Sequence, residues 1–399
     1  MVLGMGPTAL AIVRGLGRAG VTVYGIALYP SEVSLRSTYC RPLGAIDPLE
    51  EPERLCRRLE QFAHEHPAVV KVLYPSGDEC VAFISEHYDR LRKHYRFYDG
   101  LAPQIVAALM NKKTFHEVCR AAGVDTARTE FPGDMAQAQA LAQSMPYPCL
   151  LKPIEGHRWR GEFGLLKALV CRGRDEYLAN LRRVAHILDN IMVQEIIPGG
   201  EENICSLIVY IDRNGRAVGG VTTQKLRQFP PGFGTGCAVL SASKPQIVAP
   251  SLRLLEAAKF HGMVEVEFKY CPRDRTYKAL DVNTRPCRLG GLAEACGSTA
   301  LVASFLDLGG LEMTLPPTRQ KYGIKWLFWI RDMVSVVRGL PRGRFGLGEV
   351  IDSYSRPRTW CIYASDDPRP FFAYFLECAS KCLKVAWKKV RRRWERWRE

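Results

Sequence analysis

Apolar and polar positions alternate most clearly at residues 263–288, MVEVEFKYCPRDRTYKALDVNTRPCR. Glu265 and Glu267 fall on one side of a strand, with Val264, Val266 and Phe268 on the other. CPRDRT supplies the turn and YKALDVN the returning strand, so the stretch predicts a hairpin. Upstream, residues 1–20 read as strand, glycine turn and helix, and VTVYGIA as a second strand. VVKVLYPSGDEC (69–80) predicts a buried strand ending in a polar loop at Asp78 and Glu79. MNKKTFHEVCRAAGV repeats with helical spacing, Phe115, Val118, Cys119 and Ala122 facing inward. Then come a helix (MAQAQALAQSM), strands (YPCLLKP, LLKALVC), a helix (DEYLANLRRVAHILD) and the strand IMVQE. A longer strand closes at the turn signal Asn214-Gly215, and SLRLLEAAKFHG is a helix leading into the hairpin. Mixed strands and helices of this kind define an α/β class, with α+β character in the middle of the chain.

The chain has 399 residues, which predicts two or three domains rather than one core. No apolar run reaches the roughly 18 residues of a membrane span, and the start MVLGMGPTALAIV has no basic leader, so a cytoplasmic protein is expected. The 14 cysteines are scattered without a CxxC pair, which fits reduced thiols better than a disulfide framework or structural zinc. The net charge of +15 is uneven: residues 381–399 hold nine Lys/Arg and two Glu, or +7 of the total.

The chemistry concentrates around the hairpin. Antiparallel pairing would set Asp281 and Asn283 beside Glu267, giving two carboxylates and an amide oxygen followed by Arg285. Such a set suits a hard cation next to an anion-binding fork, as in a magnesium–triphosphate complex; the alternative is a surface hairpin with ordinary charges. Lys152 and Lys167 lie on otherwise apolar strands, where an ammonium is costly unless it reaches an anion. QEII (194–197) with Glu202 offers backbone groups and a ribose carboxylate for a nucleoside, and Lys225 and Arg227 in KLRQFPPGFGTG offer anion contacts. Gly4 and Gly6 alone make a weak dinucleotide signal, because Ala9 stands where a third glycine belongs and no acid ends the second strand.

The order of these parts resembles an ATP-grasp ligase of the carboxylate–amine type, similar to D-aspartate ligases and carbamoyl-phosphate synthase domains. The resemblance covers roughly residues 1–310 and rests on NKxxF, YPCLLKP, VQEIIPGG, KLRQFPP and VEVEFK…LDVNTRP. It implies a Rossmann-like pre-ATP-grasp domain at 1–100 and an ATP-grasp domain at 101–310 with a lid at about 125–195. A C-terminal extension at 311–370 would complete or cover the body, and 371–399 would form a basic amphipathic helix. The resemblance also implies that Lys112, Lys152 and Lys167 contact ATP phosphates. Glu195 and Ile197 would mark the adenine hinge, and Glu202, rather than Glu201, would hold the ribose. Glu267, Asp281 and Asn283 would hold Mg2+ (or Mn2+), with Glu265 as the other choice of first ligand. Arg285, Arg227 and Lys225 would serve catalysis. Asp281 and Thr284 depart from the family's usual Glu and Pro, and Cys287 from a frequent aromatic residue. The activity implied is ATP-dependent amide formation between a carboxylate, such as an amino acid, and an amine. A kinase on the same fold and a non-catalytic nucleotide-binding scaffold are the alternatives.

Beyond Gly310 the sequence is more particular. Trp326, Phe328 and Trp329 precede Arg331 and Asp332, in a segment that would either close the acceptor site or pack as a helix. In the tail, Leu383, Trp387, Val390, Trp394 and Trp397 fall on one helical stripe amid basic residues. That pattern fits a helix on an anionic membrane, which would suit a lipid-linked or cell-envelope acceptor. A helix packed on a partner or on the body is a second reading, an oligomer is compatible with it, and nucleic acid is the weakest of the three.

Overall fold

The computed structural model describes residues 1–154, 159, 163, 168–380 and 387, and its strands form three sheets. The first contains β1 (Val2–Leu3), β2 (Val23–Ala27), β3 (Cys40–Ala45) and β4 (Tyr74–Pro75), all parallel, in the order β3-β2-β1-β4. Parallel neighbours need crossovers, and the helices Ala9–Arg18 and Pro52–Glu65 supply them. Gly4 turns the chain from β1 towards the first helix at φ 76°, and a Cβ there would meet Ser76 Oγ at 2.8 Å. The strand expected over 69–80 is much shorter. Val69 and Val70 are exposed, β4 stops at Pro75, its last bond to β1 running from Ser76 N to the Leu3 carbonyl at 3.0 Å, and Asp78 already opens the helix Asp78–Glu86.

The second sheet is antiparallel: β5 (Thr129–Glu130), β6 (Cys149–Pro153), β7 (Leu169–Cys171) and β8 (Ile191–Glu195), ordered β5-β8-β6-β7. Helices Met135–Ser144 and Arg174–Arg183 lie over the face that carries Cys149, Leu151, Leu169 and Val193. Strand alternation sends Leu150, Lys152 and Gln194 to the opposite face.

Seven strands make the third sheet: β9 (Ile204–Ile211), β10 (Ala217–Phe229), β11 (Thr235–Ser241), β12 (Gly262–Cys271), β13 (Thr276–Asn283), β14 (Lys325–Leu327) and β15 (Arg358–Trp360). Their order is β13-β12-β9-β10-β11-β14-β15, so the C-terminal segment extends this sheet at one edge and the hairpin forms the other. Val264, Val266, Phe268, Ala279 and Val282 pack on the helices Lys112–Ala121 and Val248–Ala257. Burying a Val or Phe in this way contributes roughly 1.5–3 kcal/mol, which fixes the hairpin's register and commits its polar face to the other side. The aromatic run divides: Trp326 and Leu327 are buried in β14, and Trp329 begins the helix Trp329–Gly339. A buried ion pair between Arg14 and Asp367 (2.9 Å) ties the last described segment to the first helix.

Candidate functional site

On the polar face of the third sheet, charged groups of β13, β12 and β10 stand side by side. β12 and β13 pair with Glu265 opposite Asn283 and Glu267 opposite Asp281, and a bulge at Leu280 follows. Asn283 Nδ2 donates to Glu265 Oε2 at 3.1 Å. From β10, Lys225 Nζ donates to Glu267 Oε2 at 3.0 Å, while Ser206 of β9 stands opposite Glu267. Arg285, just past β13, donates through Nε to Asp78 Oδ1 at 2.8 Å. Burial, and then the neighbouring charge of Glu267, pushes the Glu265 carboxyl up to about 7. Asp281 is exposed.

The hairpin is tied to the second sheet at its far end. Lys278 Nζ lies 2.7 Å from Glu195 Oε1, and Arg273 donates to Glu195 Oε2 at 2.8 Å. Burial raises the Glu195 carboxyl, but the hydrogen bonds from Lys278 and Arg273 outweigh it, and the net shift is downward. Lys269 Nζ donates to the carbonyls of Ile197 (2.8 Å) and Gly199 (2.7 Å). Ile197, Ala127 and Cys271 form a small apolar cluster with Leu280, the bulged residue. The turn leaving β8 is therefore held against the hairpin's polar face.

On the second sheet, Lys152 is half-buried and acts electrostatically on His116, whose helix begins at Lys112. His116 Nδ1 is 3.1 Å from Thr126 Oγ1, and its Nε2 is 3.5 Å from Gln194 Nε2. Burial first, then Lys152 and Arg120, push the His116 imidazole down to about 4, so it is neutral. Glu201 is engaged with the amides of Gln228 (2.7 Å) and Gly232 (3.0 Å), whereas Glu202 is exposed. Lys167 lies outside the described residues.

Arg227 is a correction. It does not share the polar face with Lys225 but forms a bidentate pair with Asp332, both bonds 2.8 Å, and also donates to Ser353. Its side chain is 2% exposed and that of Asp332 0%. The cause is the bulge between Lys225 and Arg227, which reverses the side-chain alternation. Gln228 then points the same way as Lys225, with its Oε1 at 3.4 Å from Lys225 Nζ. The sequence did not single out Ser206 or His116, and it gave Asp78 only as part of a polar loop rather than as the partner of Arg285.

Among the described residues, no three His, Cys, Asp or Glu side chains come together as a metal cluster. Mg2+ needs fewer protein ligands, because one or two carboxylates suffice when phosphates and water complete its shell. Glu267, Asp281 and Asn283 offer hard oxygen donors on one face, with Lys225 now against Glu267.

No family model matches the chain. Over 240 residues it is 26% identical to a D-aspartate ligase of Enterococcus faecium (strain Aus0004), covering 58% of this chain and 57% of that relative. The chain thus spans little more than half the length of the curated relative it matches. Among solved structures it is similar to an ADP complex of purK, an N5-carboxyaminoimidazole ribonucleotide synthetase, with TM-score 0.62 at 13% identity over 86% of this chain and 84% of that one. A biotin carboxylase complex from Campylobacter jejuni gives TM-score 0.60 at 15% identity over 79% and 72% of the two chains. An L-amino acid ligase from Bacillus licheniformis gives 0.57 at 14% over 77% and 73%. These share the ATP-grasp fold, and it is the fold of this chain.

Proposed function

We propose that the chain is an ATP- and magnesium-dependent ligase that joins a carboxylate to an amine and releases ADP and phosphate. The observation that carries this reading is the placement of Glu267, Asp281, Asn283 and Arg285 on a hairpin face clamped to the β8 turn by Lys269 and Lys278. Relatives named as a D-aspartate ligase and an L-amino acid ligase, and a purK structure named as an ADP complex, support it.

ATP would lie between the second and third sheets. Its base would meet the 195–197 turn beside Leu280, its ribose Glu202, and its phosphates Lys152, Lys112 and the undescribed Lys167. Glu267, Asp281 and Asn283 would hold Mg2+, or Mn2+ in its place, and the ion supplies neutralisation of phosphate charge when bound. A carboxylate is a poor acyl donor until an oxygen carries a leaving group, and transfer of the γ-phosphoryl provides one as an acyl phosphate. Arg285 and Lys225 steady the anionic oxygens, an amine attacks the carbonyl, and phosphate leaves. Positioning and charge do this work without a protein nucleophile.

The acceptor is proposed to be lipid-linked or part of the cell envelope, reached from a cytoplasmic protein through peripheral contact of the basic tail with membrane. Phe372, Phe375, Leu376 and Trp387 are exposed at the approach to that tail, which supports the reading; no helix among the described residues is long and apolar enough to cross a membrane. Most tail residues of the expected stripe lie outside the described ones. An ADP-release screen of carboxylates and amines with product mass measured tests the ligase reading. A mass equal to the condensed pair supports it. A phosphorylated product alone would indicate a kinase, and nucleotide binding without turnover a scaffold.

A further inference from the structure

In the helix Trp329–Gly339 the usual placing of apolar and polar faces is inverted. Asp332 and Ser335 are buried towards β10 and β11, at 0% and 2% exposure. Ile330, Met333, Val334 and Val337, spaced i, i+3, i+4 and i+7, are half-buried or exposed, reaching 68% at Val337. That spacing is the one a helix normally turns to the core. The helix Leu347–Ser353 repeats the inversion: Ser353 is buried, while Leu347 and Ile351, one turn apart, are 60% and 64% exposed.

Arg227 accounts for the arrangement. Its guanidinium, sent to this side of β10 by the bulge, takes Asp332 from the first helix and Ser353 from the second. Tyr354 donates to Asp332 Oδ2 at 2.8 Å, and Ser335 donates to the Gln228 carbonyl at 2.6 Å. A polar network thus fills the inward positions and leaves the apolar side chains of both helices outside. Apolar side chains gathered in this way on a surface mark a place of contact.

The stripe has a continuation and a basic rim. Ile330 shares an apolar hollow with Trp329, Phe371 and Phe375, and Trp329 stacks on Phe375 at 6.4 Å between ring centres. Residues 369–380 are helical and leave Phe372, Phe375 and Leu376 exposed, so the apolar surface runs on from the first helix. Arg338, Arg342 and Arg344 are exposed between the two helices, and Arg356 and Arg358 after the second. The exposed acids of residues 329–358 are engaged: Glu349 accepts from the Gly346 amide at 2.8 Å, and Asp352 lies 3.4 Å from Lys325 Nζ. A second copy is a poor occupant, because an isologous contact would set this basic rim against itself.

We propose that the outward faces of the helices Trp329–Gly339 and Leu347–Ser353 dock on an anionic phospholipid surface. The apolar side chains enter the interface and the arginines meet headgroup phosphates, as in helices that lie in the plane of a bilayer. This goes beyond the tail contact proposed above, because the attachment is placed on folded residues of the extension, and it does not depend on the ligase reading. β10 joins this face to the candidate site, Lys225 standing two positions from Arg227.

The test is flotation of the full chain with vesicles of phosphatidylcholine containing about one-quarter phosphatidylglycerol, and with phosphatidylcholine alone. Wild type is expected to float with the first and not with the second. Met333→Ser with Val337→Ser, and separately Leu347→Ser with Ile351→Ser, are each expected to weaken partition about tenfold. Thermal unfolding of both is expected to stay within about 2 °C of wild type, since the replaced side chains are exposed. Arg342→Gln with Arg344→Gln is expected to weaken partition about tenfold. The same face substitutions are repeated in a chain with Trp387, Trp394 and Trp397 changed to Ser, where they are expected to lower the remaining partition by the same factor. Partition unchanged by both face pairs overturns the proposal, and a loss confined to the tail substitutions then leaves the tail contact standing alone. A wild-type chain that binds neither vesicle overturns both. Self-association that the face substitutions abolish, without vesicle binding, would assign the face to a second copy and overturn the proposal as well.

Discussion

Asp78 and Arg285, 207 positions apart, form a salt bridge of 2.8 Å between the N-terminal parallel sheet's first-turn helix residue and the end of the metal-candidate hairpin. The side chain of Asp78 is 59% exposed and that of Arg285 15%. The bond thus contributes little to stability but aims a guanidinium whose other hydrogen bonds, to Asn283 Oδ1 and the Pro286 carbonyl, are long at 3.5 Å. Asp78→Asn is expected to leave stability within about 1 kcal/mol of wild type. ADP formation is expected to fall several-fold through kcat, because Arg285 is no longer aimed. Denaturant unfolding and steady-state kinetics on the same preparation check both parts.

Arg227 and Asp332 predict the opposite pattern. Both are buried and the pair is bidentate, so removing one partner strands a charge. Asp332→Asn or Arg227→Met is expected to cost about 3–5 kcal/mol in urea unfolding. The double replacement Arg227→Met with Asp332→Leu is expected to recover much of that loss. Equal losses in single and double variants would contradict the pairing.

His116 gives a pH dependence. Its folded value, about 4, lies below the ordinary imidazole value of 6.5, so the folded state prefers the neutral ring. The stability this supplies is fully present above pH 6.5 and is lost as pH falls through about 4. At about 1.4 kcal/mol per pKa unit the contribution is about 3–4 kcal/mol. His116→Gln is expected to flatten the stability–pH curve between those limits, read by chemical denaturation at a series of pH values.

The hairpin was legible because period-two alternation and a Pro-Asp turn signal are local, and because Glu267, Asp281 and Asn283 needed only antiparallel pairing to meet. The order of strands and helices was legible for the same reason, and it carried the ATP-grasp fold. The bulge at Leu226 was not, since nothing in KLRQF announces an extra residue, and Arg227 was accordingly grouped with Lys225 as an anion contact. Asp78 and Asp332 find their arginines across 207 and 105 positions, a distance no periodicity spans. The strand expected at 69–80 misled because Val69 and Val70 look like core and are exposed.

The central claim is that the hairpin face carries the metal of a nucleotide site. The direct measurement is magnesium-dependent ADP formation by wild type and Asp281→Asn, with MgATP binding and thermal unfolding followed in parallel. Asp281 is exposed, so its replacement leaves the fold intact. The account predicts that ADP formation falls by about 100-fold or more in the variant while unfolding is unchanged. Turnover near the wild-type rate in Asp281→Asn would contradict it.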